Sequence, residues 1–78
     1  MENKEEILIN GLKSVLPKEN SKSLTLDSDL LEDLGMDSIQ AVTLSIQLEK
    51  KTGINILEDY ADIKTVRDIL NILESNNI

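Results

Sequence analysis

The sequence predicts an all-α fold, a small bundle of three main helices plus one short helix, with a long loop between helices one and two. Three observations carry this expectation. Apolar residues recur at helical i, i+3, i+4 spacing in separate stretches of the chain. Those stretches are bracketed by residues that start or stop helices. No run alternates apolar and polar residues with the period of two that a half-buried strand requires, and there is no internal repeat or low-complexity segment.

Helix one opens at Asn3, which has capping-box spacing to Glu6. Ile9, Leu12 and Leu16, with Leu8 and Val15, form its apolar stripe, and Pro17 ends it. Gly11 sits inside and weakens it slightly. Residues 18–37 read as a long loop. Leu24, Leu26, Leu30, Leu31 and Leu34 are its anchors onto the core, with one short helical turn near 29–34. Helix two has Asp37 as N-cap and Gln40 at the reciprocal position three residues on. It runs to about Lys51, with Gly53 as its stop. Ile54 and Ile56 are anchors, and residues 57–62 form a short third helix. Helix four takes Thr65 as N-cap and Asp68 in its first turn, followed by Val66, Ile69, Leu70 and Leu73 at i, i+3, i+4, i+7 spacing. The terminal "ESNNI" is expected to fray.

Helix two carries more apolar residues than one stripe accounts for. At about 100° per residue, Ile39, Val42 and Ile46 fall on one side, and Ala41, Leu44 and Leu48 on the other. A surface helix of a small bundle needs one buried face. Either helix two is wholly buried or one face has another use.

The 78 residues allow one domain, residues 1–78, and a chain this short buries only roughly 60% of its unfolded surface. Apolar residues at 40% and charged ones at 29% describe a folded chain rather than a disordered one. Its core must be aliphatic, because Tyr60 is the only aromatic residue; Tyr60 itself reads as a partly buried anchor. A net charge of -7 argues against nucleic-acid binding, which needs a basic face, and suits basic protein partners. The N-terminus has no signal-peptide pattern, and no run approaches the ~18 apolar residues of a membrane span. The expectation is a free-standing cytoplasmic monomer without membrane insertion.

The chain has no histidine and no cysteine, so it lacks the commonest general base and any thiolate. Ser38 has no histidine to activate it, and Lys50 and Lys51 lie at the far end of its own helix. An enzymatic role is therefore not expected. "DSDLLED", residues 27–33, begins like a calcium loop. Leu31 and Glu32 stand where a ligand and a glycine are needed, so no metal site is expected. Ser38 remains. It could be a helix cap, or a point of attachment. With Asp37 as the cap, Ser38 becomes the first helical residue, at the positive end of the helix dipole, where an attached phosphate is favoured. Gly35 permits an unusual backbone angle or a close approach just before it.

At these residues the sequence resembles the acyl carrier proteins. "LEDLGMDSIQAV" is similar to the family motif around the phosphopantetheine attachment serine, in which D-S-L or D-S-I opens the second helix. The resemblance extends to the first helix, the anchored loop, the short third helix and "KTVRDIL" opening the last. It implies that Ser38 carries 4'-phosphopantetheine as a phosphodiester. A magnesium-using phosphopantetheinyl transferase would install it from coenzyme A. The terminal thiol of the arm would hold acyl groups as thioesters, and a cysteine-free chain must import any thiol it uses. Asp37 maps onto the aspartate beside the modified serine. Ile39, Val42 and Ile46, with Met36, map onto the face shown to acyl-transfer and synthase enzymes in transient docking, which would employ the surplus stripe.

The sequence also departs from the family pattern. Helix two of typical fatty-acid carriers is rich in acids, whereas the outward positions here are Gln40, Thr43 and Gln47, and Glu49 precedes Lys50 and Lys51. "DSIQAVTLSIQLEKKTGI" is also similar to polyketide carrier domains, while Met36 departs from the second glycine of peptidyl carriers. The expected function is a carrier for fatty-acid, polyketide or specialised lipid synthesis. The alternatives are an unmodified interaction subunit of carrier fold, or a bundle that binds lipid without a covalent arm.

Overall fold

The computed structural model describes residues 3–75. Along the chain these form α1 (Lys4–Val15), α2 (Lys18–Ser21), α3 (Ser38–Thr52), a 3-10 helix (Ile56–Asp62) and α4 (Val66–Ser75). The predicted helix two is α3, the short third helix is the 3-10 segment, and the all-α bundle is as the sequence predicts. The described residues contain no strand, only one isolated antiparallel bridge between Asp29 and Thr65. The expected fraying beyond Ser75 lies outside the described residues.

The helix boundaries follow from local chemistry. Asn3 caps α1, its Oδ1 accepting the Glu6 N–H at 2.8 Å. Pro17 lacks an N–H and stands just after the C-cap Leu16. Gly53 ends α3 with φ of 75°, a left-handed angle in which glycine carries no Cβ penalty. At α4, Thr65 Oγ1 accepts the Asp68 N–H at 3.3 Å, while Asp68 Oδ2 accepts the Thr65 and Lys64 N–H groups at 3.0 and 2.9 Å. These backbone bonds, Thr65 first, hold the Asp68 carboxyl below its ordinary value, against a smaller opposing effect of desolvation.

The core is one aliphatic cluster. Leu8, Leu12 and Leu16 of α1 meet Ala41, Leu44 and Leu48 of α3 and Val66, Ile69, Leu70 and Leu73 of α4, and Ile56 closes one side. Tyr60 packs half-buried against it. Gly11 is buried where α1 crosses α3: a Cβ there would lie 3.0 Å from Leu44 Cδ1. Close helix approach, not only a tolerated weakness, accounts for glycine at this position.

The connection between α1 and α3 is more structured than the sequence predicts. Its first residues wind into the single turn α2, which has no buried residue and so no apolar periodicity to announce it. The turn expected near 29–34 is present as hydrogen-bonded turns, with the Asp33 N–H donating to Asp29 O and the Gly35 N–H to Leu31 O, both at 3.0 Å. Leu30 and Leu34 are buried anchors, and Leu24 and Leu26 pack half-buried. Leu31 is a correction: it is 70% exposed. The turn sends adjacent leucines to opposite sides, and Leu30 takes the core side as its N–H donates to Lys64 O at 2.9 Å. The same loop covers the start of α4, whose Val66 and Arg67 N–H groups donate to Ser28 O and Leu26 O at 3.1 and 2.7 Å. An exposed ion pair, Arg67 to Asp27 at 3.0 Å, lies alongside.

Candidate functional site

The site is built where the loop enters α3. Asp37 is the N-cap, and the capping box is complete. Asp37 Oδ1 accepts the Gln40 N–H at 2.8 Å and Gln40 Oε1 accepts the Asp37 N–H at 3.1 Å. Ser38 is thereby released from capping. It is the first helical residue and exposed, and its hydroxyl has no hydrogen-bond partner among the described residues. The amides of Ser38 and Ile39, two of the four that an α-helix leaves without internal acceptors, have none among the described residues either.

The turn before Ser38 is held from two sides. Gly35 adopts φ of 64°, and the Met36 N–H donates to Leu30 O at 2.8 Å. From α2, Asn20 Nδ2 donates to Leu34 O at 2.7 Å. A Cβ on Gly35 would stand 3.4 Å from that same nitrogen, so glycine suits both the angle and the approach. Sequence reasoning did not find Asn20, because a lone asparagine fourteen residues from its partner carries no periodic or motif signal.

Beside Ser38 lies a cleft of about 360 Å³. Leu30, Leu31, Met36, Tyr60 and Ile63 give it apolar walls, and Asp29, Glu32, Asp37 and Lys64 stand around them. Tyr60, Ile63 and Lys64 lie more than twenty residues from Ser38 along the chain, and the fold alone brings them there.

The predicted outward face of α3 divides clearly. Ile39, Val42 and Ile46 are 76%, 44% and 49% exposed, whereas Ala41, Leu44 and Leu48 are buried. Helix α3 is therefore not wholly buried. Met36 is a correction to the predicted partner face. At 3% exposure it belongs to the core, turned inward by the Leu30–Met36 backbone bond, and it reaches the site only as part of the cleft wall.

The three aspartates of "DSDLLED" are engaged by the fold itself. Asp29 Oδ1 accepts the Leu31 and Glu32 N–H groups at 2.9 and 2.8 Å, Asp33 Oδ2 accepts the Asp29 N–H at 2.7 Å, and Asp27 pairs with Arg67. Among the described residues, no three acidic, histidine or cysteine side chains are grouped to hold a metal ion. No helix of the described residues is long and apolar enough to cross a membrane.

This arrangement fits a group attached through a phosphate ester. It offers an exposed hydroxyl, a helix N-terminus with unused amides, and an adjoining apolar cleft with a lysine. Comparison with known proteins agrees. The family model described as a phosphopantetheine attachment site matches residues 6–73. The acyl carrier protein of Coprothermobacter proteolyticus is 39% identical over 70 residues, covering 88% of this chain and 84% of that one. The acyl carrier protein of Exiguobacterium sibiricum is 38% identical over 76 residues, covering 92% and 95%. That of Amoebophilus asiaticus is 40% identical over 70 residues, covering 88% and 81%. No solved structure gives a significant match. With the match spanning most of its length, the chain belongs to the phosphopantetheine-dependent acyl carrier proteins, a family defined by a covalently attached 4'-phosphopantetheine.

Proposed function

We propose that this protein carries acyl groups on 4'-phosphopantetheine attached to Ser38 and presents them to partner enzymes, without catalysing a reaction itself. The observation that carries this is the division of labour at the start of α3. Asp37 performs the capping, and the Ser38 hydroxyl is left exposed with no partner among the described residues. A serine kept for capping would be bonded to an amide two or three residues on. The group, when attached, supplies the terminal thiol that holds the acyl chain.

The residues of this chain do the rest. Ser38 Oγ forms the ester bond to phosphorus. The helix N-terminus and the free amides of Ser38 and Ile39 favour the phosphate charge. The apolar wall of Leu30, Leu31, Met36, Tyr60 and Ile63 offers the start of the arm a surface beside its attachment point. Tethering raises the effective concentration of the cargo for each docked enzyme. Phosphopantetheinyl transferase and acyl-transfer or synthase enzymes are the partners in this reading, and the location is cytoplasmic.

Incubation with a phosphopantetheinyl transferase and coenzyme A, followed by intact-mass analysis, tests the attachment. The wild type gains one phosphopantetheine and Ser38→Ala gains none. An adduct that persists in Ser38→Ala sinks the assignment. Within the carrier reading we favour polyketide or other specialised lipid synthesis over the standard fatty-acid series. The support is α3, where Gln40, Thr43 and Gln47 stand in place of acids. Mass spectrometry of acyl groups accumulated on the protein in its native host decides this, and a plain malonyl-to-palmitoyl series would count against it.

A further inference from the structure

We propose that Lys64 is a positioning residue for the group carried on Ser38. Its ammonium pairs with the phosphate of the ester across the cleft and fixes the direction in which the arm leaves α3. The inference rests on the attachment at Ser38 and extends it to a residue outside the motif.

Backbone geometry is the first argument. Lys64 and Ser38 line the same cleft of about 360 Å³. Leu30 connects them. Its N–H donates to Lys64 O at 2.9 Å, and its carbonyl accepts the N–H of Met36 at 2.8 Å, just before Ser38. The Lys64 N–H is engaged as well, donating to Asp68 Oδ2 at 2.9 Å. With both backbone polar groups bonded, the Lys64 main chain has a set place relative to the start of α3. Its side chain stays exposed.

Charge is the second argument. Lys64 is the only cation lining the cleft, and Asp29, Glu32 and Asp37 line it too. Asp29 and Asp37 are occupied with backbone N–H groups. The Lys64 ammonium has no ion pair or hydrogen bond among the described residues. A phosphodiester on Ser38 places one more negative charge beside three carboxylates, on a chain already at -7. Repulsion from those carboxylates would turn it out of the cleft. The amides of Ser38 and Ile39 favour the charge from the α3 side only. Lys64 meets it from the other wall, and an ammonium on a flexible stem pairs with a phosphate as a point charge, without a fixed angle. Held from two sides, the phosphate loses rotation about the Ser38 ester. The pair is exposed, so it is a weak and salt-sensitive contact, suited to an arm that must swing out to each enzyme.

The test compares melting of the full-length protein before and after modification, at about 20 mM NaCl. Each variant is modified with a phosphopantetheinyl transferase and coenzyme A, and the modified fraction is purified and checked by intact mass. The quantity read is the change in Tm on modification. A merely structural contribution of Lys64 acts on both forms and cancels. Lys64→Met keeps the apolar stem and removes the charge, and should make that change less favourable by about 2 °C or more. Lys64→Arg keeps the charge and should keep most of the wild-type value. Lys13→Met removes a charge from the exposed side of α1, away from the cleft, and should stay within about 1 °C of wild type. At about 500 mM NaCl, wild type and Lys64→Met should converge.

A difference under about 2 °C between wild type and Lys64→Met overturns the proposal. So does a Lys64→Arg that matches Lys64→Met, a Lys13→Met that matches it, or a difference undiminished in high salt. A wild type that gains phosphopantetheine and shows any of these rejects the pairing alone. A wild type that gains no mass rejects the attachment reading with it.

Discussion

A capping carboxylate is a small device with consequences at both ends of this bundle. At α3, Asp37 takes the amide of Gln40 and leaves Ser38 with no structural duty. At α4, Asp68 returns the favour to Thr65 and Lys64, accepting both backbone N–H groups on one oxygen. Its carboxyl is held below the ordinary value chiefly by those two bonds, Thr65 before Lys64. A group whose folded value is depressed stabilises the fold fully above its unfolded value of about 3.9, and loses that contribution as pH falls through the lower folded value. Asp68→Ala should therefore cost about 1 kcal/mol at neutral pH, the ordinary worth of a cap. Thermal unfolding of both proteins followed by circular dichroism from about pH 7 downward checks it. The gap in Tm should hold to about pH 4 and close below it. A gap that stays constant into strong acid would mean that the charge of Asp68 contributes nothing.

Between α1 and α3 the decisive element is an absence of side chain. Gly11 costs α1 up to about 1 kcal/mol of helix propensity relative to alanine, so Gly11→Ala looks stabilising on sequence grounds. The structure reverses the sign. A Cβ would stand 3.0 Å from Leu44 Cδ1, tighter than an ordinary contact, so this fully buried leucine would have to shift by a few tenths of an ångström. Overpacking of that kind costs about 1–3 kcal/mol, which leaves a net loss of about 1 kcal/mol. Urea unfolding should show a lower midpoint with an unchanged slope, and a raised midpoint would show that Leu44 can yield. This element also marks how far the sequence was legible. The caps Asn3, Asp37 and Thr65, the stops Pro17 and Gly53, and the two faces of α3 could be read because caps and period are local. Met36 and Leu31 could not. Both sit in a turn, where no period assigns sides, and backbone bonds to Leu30 and Lys64 decide which residue faces inward. Single-turn α2 was hidden because it buries no side chain and so shows no apolar period, and the Asn20 bond to Leu34 because its partner is fourteen residues away.

At the scale of the whole molecule, one charge sign prevails over a thin core. Fifteen acids face eight bases, and the acids crowd two regions, Asp27, Asp29, Glu32, Asp33 and Asp37 before α3, and Glu58, Asp59 and Asp62 in the 3-10 helix. The Arg67–Asp27 pair is exposed on both sides and offsets little of this. The core opposing the repulsion is aliphatic apart from Met36 and half-buried Tyr60 at its edge. Native stabilities of small domains are only about 5–15 kcal/mol, so self-repulsion is a sizeable fraction of the whole. Raising NaCl from about 20 to about 300 mM shortens the Debye length from roughly 20 to roughly 6 Å and should raise Tm by several degrees, about 1 kcal/mol of relief. A fold held mainly by ion pairs would respond in the opposite direction. The fold should strengthen as the acids before α3 are screened. Melting curves measured on one preparation across the salt series check this. A fall in Tm with added salt would refute the repulsion argument.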